Sequence, residues 1–138
     1  MRKIASMLLV AAILMSIFVP VSAAENVAVP YYVNTNQARL VMAISDTGQV
    51  NITVTITCNS KATGIHTITY LERKVGSSWV RVSIGQPGNQ WEESVSTRYL
   101  LESYTAQVSV KGTYRAVTEI TVTGAETDSI TLYREDVY

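Results

Sequence analysis

The stretch "VNITVTITC", Val50 to Cys58, sets the reading of the whole chain. Ile52, Val54, Ile56 and Cys58 fall at every second position, with Thr53, Thr55 and Thr57 between them. Successive side chains of a strand point to opposite faces, so this spacing predicts a β-strand with one face on a core and one in water. Cys58 is the only cysteine, and its parity aligns it with the aliphatic residues. A free cysteine packs as a small hydrophobe, whereas a reactive thiol needs an accessible, electropositive setting. The only nearby cation is Lys61, beyond the strand, so Cys58 is expected in the core. No intramolecular disulfide can form, and stability must come from buried apolar area.

Outward from this strand the same period recurs. "ARLVMAIS" places Leu40, Met42 and Ile44 on one face, and Asp46 to Gly48 reads as a turn. "NSKATG" is a loop, and "IHTITYLERKV" is the next strand. "GSS", Gly76 to Ser78, makes a short hairpin connection, after which "WVRVSIG" aligns Val80, Val82 and Ile84. "QPGNQ" is a further loop, followed by a strand expected around Val95 to Leu101. "ESYTAQVSVKG" aligns Tyr104, Ala106, Val108 and Val110. "TEITVTG" and "DSITLY" pair Ile120 with Val122 and Ile130 with Leu132. No segment of helical length carries apolar residues at the three- and four-residue spacing of a helix face.

Seven or eight short strands separated by turns predict an antiparallel β-sandwich of immunoglobulin or fibronectin type III kind. A small antiparallel barrel satisfies the same periodicity. Tyr104, in the turn before an alternating strand, is expected to act as a tyrosine corner. Its hydroxyl would reach back to a nearby backbone group.

The first residues differ from all this. Arg2 and Lys3 precede an apolar run from Ile4 to Val19, Pro20 interrupts it, and Val21-Ser22-Ala23 supplies the small residues a signal peptidase reads. Cleavage is expected after Ala23, with Ala24 the next site. An uncleaved anchor is the alternative, but the run falls short of the roughly 20 apolar residues that span a bilayer. The expected organisation is a signal peptide over 1–23, an extended segment over 24–37 and the β-sandwich domain over 38–138. The mature protein is then secreted or held at the cell surface, with no membrane span.

Cleavage leaves nine basic residues against eleven acidic ones, scattered along the chain. That balance gives no electrostatic footprint for nucleic acid. The 115 residues beyond Ala23 (138 less 23) suit one domain.

The segments "PYYVNTNQARLVMAIS", "ITYLERKVGSSWVRV" and "YLLESYTAQVSVKGTYRA", after such a leader, resemble small secreted β-sandwich proteins of Gram-positive, clostridium-like bacteria. The resemblance covers most of Tyr31 to Tyr133. It implies the fold and export, and it carries over no catalytic or binding residue.

Chemistry finds little support. His66 is the only histidine, on a strand where its direction is ambiguous, and no "G-x-S-x-G" elbow accompanies the serines. Glu92 and Glu93 are adjacent, so a strand sends them to opposite faces, where they cannot pair as glycosidase carboxylates do. One histidine and one cysteine preclude the usual zinc sets, and no acidic loop has calcium spacing. The chain therefore reads as non-enzymatic, with no catalytic residue, cofactor or metal.

The aromatics remain. Trp79 and Trp91 flank the loops "GSS" and "QPGNQ" and form the speculative ligand surface. If both indoles lay exposed on one surface, the protein would be a small carbohydrate-binding module. If they cap the sandwich, the reading is a non-catalytic extracellular protein acting in binding, adhesion or envelope structure. Its partner classes are a cell-envelope or host glycan, or a protein.

Overall fold

The computed structural model describes residues 31–138. The signal peptide read in 1–23, and the 24–37 segment as far as residue 30, lie outside the described residues. Eight strands follow: β1 (Thr35–Ile44), β2 (Gln49–Cys58), β3 (Gly64–Val75), β4 (Ser78–Arg81), β5 (Trp91–Val95), β6 (Tyr99–Gln107), β7 (Thr113–Thr123) and β8 (Thr127–Val137). All pairings are antiparallel. One sheet has the order β1-β2-β6; the other runs β4-β3-β7-β8, with β5 also paired to β3. Because β7 holds one edge of β3, β4 and β5 take successive halves of the other.

The core is the dry layer between the two sheets. Ile52, Val54 and Ile56 of β2 and Leu40 of β1 supply one side. Ile65 and Leu71 of β3 with Ala116, Ile120 and Val122 of β7 supply the other. The alternation read in Val50 to Cys58 therefore holds in space. Cys58 lies on the core side as its parity requires, but it is half-buried, because the strand ends there. Burial pushes its thiol pKa up, and the nearby Asp128 carboxylate adds to the rise. Both effects disfavour the nucleophilic thiolate.

Turn chemistry sets the hairpins. Gly48 closes the β1–β2 loop with φ 81°, and a Cβ there would run into the Val108 carbonyl oxygen. Gly76 stands at the first central position between Val75 and Ser78 with φ 61°, the backbone that a type II′ hairpin demands.

The sandwich is closed at its β1–β8 side by polar contacts. Asp128, buried on β8, accepts hydrogen bonds from the N–H groups of Val33, Asn34 and Thr35 and from the Thr35 hydroxyl, all at 2.8–2.9 Å. Arg134 Nε donates to the Leu40 carbonyl at 3.1 Å, and Ile44 N–H to the Asp136 carboxylate at 2.8 Å. The Asp128 contacts draw in the chain just ahead of β1, whose first paired residue is Thr35.

Three local expectations are corrected. The strand expected over Val95 to Leu101 is two strands in different sheets, because residues 96–98 carry the chain from β5 to β6. β6 ends at Gln107, so Val110 leaves the face of Tyr104 and Ala106 and is 50% exposed. The tyrosine corner is not at Tyr104. Its hydroxyl is buried with no hydrogen-bond partner among the described residues; the Thr67 hydroxyl is its neighbour but falls outside bonding geometry. Tyr114, at the start of β7 and 2% exposed, donates its hydroxyl to the Val110 carbonyl four residues upstream at 2.6 Å.

Candidate functional site

Strand register decides where the two indoles go. Trp91 stands opposite Thr69, which is fully buried, so it faces inward and packs against the core. There its ring stacks on Tyr104 of the other sheet, with centroids 5.0 Å apart and planes 10° from parallel. Trp79 stands opposite Lys74, on the outward parity of β3, and is half-buried. The two lie on opposite faces of the five-stranded sheet. The shared surface that a two-tryptophan glycan platform requires is absent.

Trp79 instead joins an outward-facing cluster assembled from four strands. The Arg115 guanidinium of β7 lies 4.3 Å from the Trp79 ring centroid and 5.2 Å from that of Tyr133 on β8. Glu72 of β3 holds Arg115 by a 2.6 Å ion pair to Nε, which fixes the plane of the guanidinium. Beside it, Arg81 of β4 lies 3.6 Å from the ring centroid of Tyr70, whose hydroxyl donates to Glu119 at 2.9 Å. Burial raises the Tyr70 pKa, and the bond to Glu119 raises it further. Rings alternate with cations across the sheet, each contact contributing about 0.5–2 kcal/mol. Val117, between Tyr70 and Tyr133 in register, is 1% exposed although it faces outward. The cluster thus covers apolar surface, and Tyr133 remains 51% exposed at its rim.

The same face carries a second group nearer the other end of β3. His66 points outward, and its Nδ1 lies 2.8 Å from Ser94 Oγ on β5. Its Nε2 lies 3.7 Å from Glu92 Oε1. A hydroxyl, an imidazole and a carboxylate are therefore in sequence, the elements of nucleophilic catalysis. They stand on open sheet, however, and line neither the cleft between residues 80–83 and 107–110 nor the one between residues 35–38 and 130–132. Oxyanion donors would have to come from a cleft or turn. Glu93, as expected, takes the face opposite Glu92. No group of three or more His, Cys, Asp or Glu among the described residues could hold a metal ion, and none of their helices is long and apolar enough to cross a membrane.

The outward cluster was hidden from sequence reasoning except for Trp79. Tyr70, Arg81, Arg115 and Tyr133 are far apart in the chain, and only the pairing of β4, β3, β7 and β8 aligns them. The signal available was parity: each sits at a position opposite to its strand's core residues. The His66–Ser94 pair was hidden for the same reason. Compared with known proteins, the chain matches no family model and no curated sequence.

Proposed function

We propose that this is an exported, non-catalytic β-sandwich of the immunoglobulin/fibronectin type III kind. It binds an extracellular partner, in adhesion or envelope structure, through the outward face of its five-stranded sheet. Export rests on the leader in residues 1–23. The sandwich type rests on strand order: β1-β2-β6 corresponds to strands A-B-E, and β4-β3-β7-β8 to C′-C-F-G. Tyr114 then lies near the start of strand F, where the tyrosine corner belongs.

One observation carries the binding reading: Trp79, Arg115, Tyr133, Arg81 and Tyr70 converge on one face. Trp, Tyr and Arg are the residue types that dominate binding energy at protein interfaces. Their local pairing holds them rigid, which lowers the entropy lost on binding. The test is capture of envelope polysaccharides and surface proteins by the immobilised mature domain. Tyr133→Ala and Trp79→Ala should abolish capture while the far-ultraviolet dichroism spectrum stays that of a β-sandwich. Retained capture by both variants would refute this use of the face.

A further inference from the structure

A cleft of about 280 Å³ opens between residues 80–83 and 107–110. Val80, Val82, Val108, Val110 and Tyr114 line it with apolar surface. Arg73 of β3 also lines it, opposite Val80 on one side and Tyr114 on the other. Cross-strand neighbours share a face, so Arg73 lies on the inward side with the buried Tyr114. A cation on that side normally meets a carboxylate. Among the described residues Arg73 makes no ion pair; the two that exist join His66 to Glu92 and Arg115 to Glu72. The acid in its own cross-strand row, Asp136, gives its oxygens to the N–H groups of Ile44 and Val137. The Tyr114 hydroxyl is committed to the Val110 carbonyl.

The backbone on both sides of the cleft is available as well. Val82 N–H donates to the Leu71 carbonyl at 2.9 Å, so the backbone groups of Arg81 and Ser83 turn away from β3 to a free edge. Val108 N–H donates to the Gly48 carbonyl at 2.9 Å, which turns those of Gln107 and Ser109 away from β2. The volume is near the lower end of small-ligand sites, about 300–1,000 Å³, enough for a chain end rather than a long acyl or glycan chain.

We propose that this cleft binds the free C-terminus of an extended peptide whose last residues are apolar. The terminal carboxylate pairs with Arg73, the last side chains enter the valine-lined walls, and the peptide backbone bonds to the free edge at Arg81 and Ser83. This site shares Arg81 with the outward aromatic face, but there it uses the backbone of Arg81 and not the side chain that lies on Tyr70, so Arg73→Gln and Trp79→Ala test the two independently.

The probe is a fluorescein-labelled peptide, Ser-Thr-Thr-Val-Val, made with a free C-terminal carboxylate and as its C-terminal amide, titrated by polarisation against the mature domain. The free acid should bind at least about tenfold more tightly than the amide, the effect of one charge-assisted contact. Arg73→Gln should erase that difference, and Val80→Glu, at an exposed position on the wall, should abolish binding of both. Sodium octanoate should not displace the peptide. No binding of the free acid, equal binding of acid and amide to the unmutated domain, or full displacement by octanoate would each overturn the proposal. The acid–amide comparison needs no variant, so it stands even if Arg73→Gln fails to fold.

Discussion

The indole of Trp91 and the phenol ring of Tyr104 lie face to face across the space between the sheets, 5.0 Å apart at their centroids. One ring comes from the start of β5 and the other from the middle of β6, so the stack joins the two layers away from the crossover at residues 96–98. Trp91→Ala should destabilise the domain by about 3–5 kcal/mol, as expected for a large ring lost from a core. Trp79→Ala, on the outward face, should cost about 1–2 kcal/mol, most of it cation–ring contact. Urea denaturation of the two variants measures the difference. In Trp79→Phe the remaining indole should emit at shorter wavelength and resist acrylamide quenching, whereas Trp91→Phe should leave the more accessible emitter.

Tyr114 and Tyr104 should respond differently to loss of a hydroxyl. Tyr114→Phe removes a 2.6 Å bond to the Val110 carbonyl and should cost about 1 kcal/mol. Tyr104→Phe removes a buried hydroxyl that has no partner, so it should be neutral or stabilising. The reverse ranking in thermal denaturation would return the corner to Tyr104.

Asp128 makes stability depend on pH in one direction. Burial alone would raise its pKa, but the Thr35 hydroxyl and the N–H groups of Asn34, Val33 and Thr35 outweigh it, and the net shift is downward. The unfolded carboxyl, with a pKa of about 3.9, therefore takes up a proton before the folded one does. The stabilisation is complete above that value and is lost as pH falls through the folded value. Asp128→Asn should lower the urea midpoint at pH 7 and flatten its decline below about pH 4. An unchanged acid limb in the variant would remove Asp128 as its cause.

Glycine should matter unequally. Gly48→Ala meets both a left-handed backbone and the Val108 carbonyl, and should cost more than about 2 kcal/mol. Gly76→Ala meets only the backbone term, since nothing lies within 4 Å of its Cβ, and should cost about 1 kcal/mol. Melting temperatures of the two variants give the comparison.

The Cys58 thiol should react slowly. With its pKa raised by burial and by Asp128, little thiolate exists at neutral pH. A bulky maleimide should label the folded domain much more slowly than the urea-unfolded chain. Equal rates would place the thiol in free solvent.

For β1, β2 and the later part of β7, alternation alone was enough to identify the strand and its core face. Leu40, Ile52, Val54, Ile56, Ile120 and Val122 are buried where a two-residue period puts them, because parity is a local property of an extended chain. Parity says nothing about which strand lies beside which. It therefore could not separate β5 from β6, choose between Tyr104 and Tyr114, send Trp91 inward, or bring His66 to Ser94. Those outcomes depend on register between segments distant in the chain, which is settled only when two sheets close on a common core. The unpaired charge of Arg73 is of the same kind: a lysine- or arginine-rich hairpin is ordinary in sequence, and only the fold turns that one side chain toward a cleft without a carboxylate.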